Sequence, residues 1–154
     1  MTNPAPNDAT EDEATALARI VGEFSADSGT IHFLGADGHL HLSAATAGMP
    51  ENVLAIIQTI PVGKGMAGLA VERRQPVNAC NLQTDASGDV RPGAKATGLA
   101  GSIVVPIFDG SAAVGALGVA NRSERAFNDD EIARLLEEGR TLALRHRQRH
   151  APGI

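Results

Sequence analysis

The sequence predicts an α+β fold, an antiparallel sheet with a helix near each end of the chain and shorter helices between its strands. Three observations predict it. Two pairs of apolar segments flank Asp37-Gly38 and Asp109-Gly110, residue pairs that tolerate positive φ and close hairpins. Amphipathic stretches with helical spacing begin near Thr10 and near Asn128. No strand–crossover–strand series of the doubly wound kind is present.

Taken in order, residues 1–9 read as a disordered leader, too polar and proline-rich to bury a face. From Thr10, Ala14, Leu17, Ile20, Val21 and Phe24 share one helical face, with Glu11, Asp12 and Glu13 expected in the first turn. The strands TIHFL and HLHLSAA follow, joined through GADG. Pro50 suits the first turn of a short helix, PENVLAII, before an extended IPV. A helix GMAGLAVERR stops ahead of Gln75-Pro76, because proline disfavours helical geometry in the residue before it. VNACNL reads as a short strand, and residues 83–101 as a long glycine-rich loop of the kind that carries binding function. The second hairpin, SIVVPIF and AAVGALGVAN, precedes a long helix that starts with Asn128 and Glu131 in capping-box spacing. Ile132, Leu135, Leu136, Leu142 and Ala143 form its apolar face. The reading is a single domain over residues 10–150 with a short disordered tail at 151–154.

Composition narrows the function classes. At 154 residues, 43% apolar and 20% charged, the chain suits one hydrophobic core. A net charge of −5 and the absence of Trp and Tyr argue against a nucleic-acid partner, which needs positive charge and stacking platforms. No apolar run approaches the ~20 residues that span a bilayer, so no membrane partner is expected and the location is read as cytoplasmic. One cysteine, Cys80, excludes an intrachain disulfide and a multi-thiolate metal site.

The segment IPVGKGMAGLAVERRQPV looks at first like a phosphate cradle. A P-loop requires glycine five residues before Gly63 and a hydroxyl residue after Lys64; the chain has Gln58 and Gly65. The structural reading is that Gly63 and Gly65 permit a tight turn, while Ala67 and Gly68 let the helix approach its neighbours closely. The amides that open this helix remain available to a ligand anion, with Lys64 beside them.

The succession of the first hairpin, the I-P-x-G-x-G-x-x-G turn and helix, the V-P-I strand with its Asp-Gly turn, and the FNDDE helix start resembles a GAF domain over about residues 12–145. The resemblance implies a GAF-like, PAS-like sheet with the terminal helices on one face and short helices and loops capping a pocket on the other. It implies a stand-alone, non-catalytic sensory module for an unknown small-molecule ligand, with no cofactor identified. The expected walls are Ile60, Met66, Leu69, Cys80, Leu99, Ser102 and Val104, with polar contacts from Lys64, Asp85 and Arg91. Asp89 and Lys95 share that long loop, whose charges either clamp a ligand or are simply solvated. A homodimer through the terminal helices is expected, with Leu17, Val21, Leu135 and Leu142 either at its seam or covering the sheet. Output would pass to a separate signalling partner protein.

Two alternatives accompany this reading. GAF-like enzymes that reduce free methionine-(R)-sulfoxide use more than one cysteine, which this chain lacks; Cys80 is expected to be a small buried strand residue. Cyclic-nucleotide-binding relatives carry an N-K…F-x-x-x-D-E pattern, matched imperfectly by Asn121-Arg122, Phe127 and Asp130-Glu131, where a surviving Arg122–acid pair need not mean a cyclic nucleotide. His32, His39 and His41 on the first hairpin offer metal-ligand spacing, but the sequence shows no nearby carboxylate or thiol, so ordinary strand polarity and no metal are expected.

Overall fold

The computed structural model describes residues 11–84 and 98–149. Its elements in order are α1 (Glu13–Glu23), β1 (Ser28–Leu34), β2 (His39–Ala45), α2 (Glu51–Ile57) and β3 (Thr59–Pro61). They continue with α3 (Gly65–Arg73), β4 (Val77–Ala79), β5 (Ser102–Asp109), β6 (Ala112–Ala120) and α4 (Asp129–Arg149). The strands form one antiparallel sheet in the order β3-β2-β1-β6-β5-β4. The α+β architecture is the one the turn signals predict. The leader and tail expected at the chain ends lie outside the described residues.

Local chemistry explains the boundaries. Asp12 caps α1 by accepting from the Thr15 amide at 2.7 Å, so only Glu13 of the three expected acids stands in the first turn. Pro50 occupies the cap position of α2 rather than its first turn. The β1–β2 turn places Gly38 at φ 82°, and Asp37 Oδ1 accepts from the His39 amide. The helix α3 ends one residue earlier than read, with Arg74 in the left-handed conformation at φ 58° just before Pro76. At α4, Asn128 Oδ1 accepts from the Glu131 amide at 2.8 Å and Glu131 accepts from the Asn128 amide at 3.1 Å, a reciprocal capping box.

The sheet is covered on both faces. Ile31 and Phe33 of β1, Ile103, Val105 and Ile107 of β5, and Leu117 and Val119 of β6 pack under α1 and α4. Alternate residues face the other way, where Leu40, Ile60, Val77, Val104 and Ala116 meet α3. Burial on both faces is why β5 reads as an unbroken apolar run. Leu17, Val21, Leu135 and Leu142 are all 9% exposed or less in the single chain, so they cover the sheet and are not an open dimer seam.

An ion network ties the two terminal helices together. Glu11 accepts from Arg19 Nε at 3.0 Å and from Arg145 Nη1 at 2.8 Å, and Arg19 Nη2 also donates to Glu138 at 3.0 Å. Arg145, in the last turns of α4, is buried. Burial alone would raise the Glu11 pKa, but the hydrogen bonds and charges of Arg19 and Arg145 outweigh it and hold the carboxyl below its ordinary value. Removing that carboxylate leaves the buried Arg145 without the acid it pairs with, while Arg19 keeps Glu138. Glu11→Ala is therefore expected to lower stability by about 2 kcal/mol in urea unfolding. A loss within about 0.5 kcal/mol would mean the network is worth no more than a surface pair.

Candidate functional site

Between the sheet and the two short helices lies a cavity of about 160 Å³. Its floor is the alternate face of the central strands: Ser28, Thr30 and His32 of β1, Ser102 and Val104 of β5, and Gly118 of β6. One wall is α2, through Val53, Ile56 and Ile57, with Met49 ahead of it. Another is the start of α3, through Lys64, Gly65, Met66 and Ala67, next to Ile60 of β3. Leu82 and Leu99, which flank residues 85–97 in the sequence, also line it, as do Gly29, Val119 and Ala120.

The start of α3 is aimed by its glycines. Gly63 and Gly65 have φ of 90° and 64°, which side-chain-bearing residues rarely adopt. A Cβ on Gly68 would come within 2.4 Å of the Pro61 carbonyl oxygen, so only glycine lets the first helical turn fold back on the turn before it. The Gly63 amide bonds the Gly68 carbonyl at 2.9 Å, and the Gly68 amide bonds that of Lys64 at 3.1 Å. Close approach thus serves the turn more than the sheet. The Lys64 side chain does not cap the helix.

His32 and Ser102 are the buried polar residues of the floor among the described residues, and His32 is the deeper at 2% exposed. Its Nε2 lies 2.8 Å from the carbonyl of Ile57, the last residue of α2, and its Nδ1 is buried with no hydrogen-bond partner among the described residues. Burial pushes its pKa below the ordinary 6.5, with the Ile57 bond opposing part of that shift. The neighbouring Phe33, on the opposite face, stacks on His146 of α4 at 3.7 Å.

Six expected wall or contact residues come together: Ile60, Lys64, Met66, Leu99, Ser102 and Val104. Leu69 does not line the cavity; it is half-buried and packs in the cluster beneath α3. Cys80 is a correction, because β4 ends at Ala79 and the thiol residue beyond it is exposed instead of buried. Asp85, Asp89, Arg91 and Lys95 lie outside the described residues. The contribution of α2 was not anticipated, although Val53, Ile56 and Ile57 recur at helical spacing.

The other candidates separate from the cavity. His41 has a carboxylate close by after all, with Asp37 accepting at 2.9 Å across the β1–β2 turn. Among the described residues no group of three or more His, Cys, Asp or Glu side chains could hold a metal. An Arg122–acid side-chain pair does not form among the described residues. Arg125 makes the ion pair with Glu131, and its guanidinium sits 4.3 Å over the Phe127 ring, while Arg122 gives only its backbone amide to Asp27.

Comparison with known proteins follows the same outline. A family model for the GAF domain matches residues 9–143. No curated protein matches the sequence. Among solved structures, the GAF domain of an Acinetobacter phosphoenolpyruvate-protein phosphotransferase is similar at TM-score 0.74 and 20% identity, over 91% of this chain and 82% of that one. A type II free methionine-R-sulfoxide reductase from Thermoplasma acidophilum is similar at TM-score 0.74 and 18% identity, over 91% and 93%. A domain of a putative two-component sensor histidine kinase from Sinorhizobium meliloti gives TM-score 0.69 at 18% identity, over 88% and 89%. At these identities the structural likeness speaks for the fold.

The lowered pKa of His32 has a stability consequence. The folded chain favours the neutral ring, so its contribution is complete above 6.5 and is lost as pH falls through that value toward the lower folded pKa. The melting temperature is expected to fall between pH 7 and pH 5 more steeply in the native chain than in His32→Asn. Identical slopes would show that His32 titrates as it does in the unfolded chain.

Proposed function

The chain belongs to the GAF domain family, and from that premise we propose that it is a non-catalytic sensory module holding a small molecule between its sheet and helices α2 and α3. The observation that carries this reading is the cavity itself, about 160 Å³, floored by three strands and walled by aliphatic side chains. A space of that kind with a few polar groups is the usual form of a small-ligand site. It is close to the ~150 Å³ that accommodates benzene, and far from the size of a nucleotide. That supports a small metabolite over a cyclic nucleotide.

The fold is shared with a sulfoxide reductase, which makes enzymatic reduction the competing proposal. Reducing a sulfoxide oxidises a thiol, and the oxidised thiol is resolved by a second one. This chain has a single cysteine, and Cys80 is exposed and not among the residues lining the cavity. Both facts favour binding without turnover. The signal would pass to a separate protein. Pairing of two copies through the terminal helices belongs to the same proposal and would draw on the outward side of α4, where Leu144 is exposed.

Ala67 projects into the lining from the first turn of α3, and a larger side chain there fills the space. Calorimetric titration against a panel of small metabolites is expected to give at least one saturable ligand, with affinity reduced roughly tenfold or more in Ala67→Leu. Turnover of free methionine sulfoxide that disappears in Cys80→Ser would replace this reading with the enzymatic one.

A further inference from the structure

We infer that two copies of the chain pair antiparallel through the outward face of α4, in a register fixed by charge. This rests on the pairing proposed above and adds its direction and its contacts.

The face is exposed and regularly spaced. Asp130, Glu137 and Leu144 recur every seven residues along α4, and Ala133, Arg140 and Arg147 recur likewise, offset by three. All six are exposed. That spacing lines them up in one stripe along the helix. Leu135, Gly139, Leu142 and Ala143 are buried on the opposite side. The stripe runs between the neighbours of α4. On one flank Arg19 of α1 bonds Glu138, and Arg134 lies 4.6 Å over the Phe24 ring. On the other, Arg140 donates to the Gly110 carbonyl at 3.3 Å and Arg147 pairs with Asp109 at 3.2 Å.

The stripe is its own complement. Its acids precede its bases along the helix. About a twofold axis between Glu138 and Gly139, Glu137 faces Arg140 of the second copy, Asp130 faces Arg147, and Ala133 faces Leu144. Every charged position meets its opposite. The exposed Leu144 meets the smallest side chain of the stripe, which leaves room for it. Reciprocal contact of this kind, residue i on j and j on i, is what a twofold dimer requires. A parallel pair would set each of these charges against its own copy, which is destabilising. A partner of a single charge would meet its own sign over part of the stripe, so the second copy is the occupant the pattern specifies.

The intrachain contacts compete only weakly. The Arg147 side chain is 62% exposed beside Asp109, and such a pair is worth little. Arg140 gives one donor to a neutral carbonyl and keeps others for a carboxylate. With Leu144 the one large apolar side chain of the stripe, the association is weak and depends on salt.

Sedimentation equilibrium of the full chain over a range of concentration and salt tests the pairing. The native chain is expected to form dimers in low salt and to lose them as salt is added. Glu137→Arg and Arg140→Glu are each expected to weaken association roughly tenfold or more, and the two together to restore it. Unchanged melting temperatures establish that these exposed substitutions leave the fold intact. Direction is read by disulfide formation in a Cys80→Ser background. Ala133→Cys and Leu144→Cys chains should cross-link when mixed, and neither should cross-link alone. A dimer indifferent to salt, one that survives both single charge reversals, or Leu144→Cys chains that cross-link with each other overturn the antiparallel register while pairing itself stands. A chain that stays monomeric in low salt at every concentration ends the inference and the pairing proposal together, leaving the ligand-binding reading untouched.

Discussion

A sheet with two apolar faces must be covered twice, and this chain covers the two faces unequally. The face beneath α1 and α4 is closed by helices of 11 and 21 residues whose inward side chains are almost wholly buried. The opposite face has α2 and α3, of 7 and 9 residues. Among the described residues, two short helices roof only part of a six-stranded floor. The cavity is the area left over, and its position follows from where the glycine turn sets the start of α3.

The strand β1 belongs to both layers. His32 reaches the end of α2 through the Ile57 carbonyl, while Phe33 lies on the His146 ring with the planes 7° apart. His146 Nδ1 is 3.4 Å from Glu13 of α1, so the stack stands next to the junction of the two terminal helices. The pleat gives this arrangement directly, since successive strand residues point to opposite faces. A ligand that binds one placement of α2 better than another thereby acts on a strand the terminal helices rest on. The size of any such effect is bounded by that difference in affinity.

The fold was legible because it rests on local signals. Asp37-Gly38, Asp109-Gly110, the Asn128–Glu131 cap and the period of the terminal helices each act within a few residues. Six of the twenty described lining residues were legible, partly for the same reason, since Lys64 and Met66 follow from the glycine turn, and Ser102 and Val104 from alternation on β5. What was missed depends on tertiary placement. The short helix α2 has an apolar spacing that does not say which surface it meets. Cys80 sits one residue beyond the last ladder position, a boundary too fine for residue pattern to settle. Arg145 belongs to a run of basic residues at the end of α4, and only the approach of Glu11 across more than a hundred residues makes it a buried partner. Arg125 and Asp37 were passed over likewise, because neither pairing follows a recognisable motif.

Binding at the less covered face is the claim on which the functional account stands, and methyl-labelled NMR measures it by location. Upon titration with a ligand that saturates the chain, the methyls of Val53, Ile57, Ile60 and Val104 are expected to shift together, with Leu17 and Leu135 beneath the terminal helices changing far less. Shifts confined to the Leu17 and Leu135 side, or saturable binding that leaves all four cavity methyls in place, would contradict it.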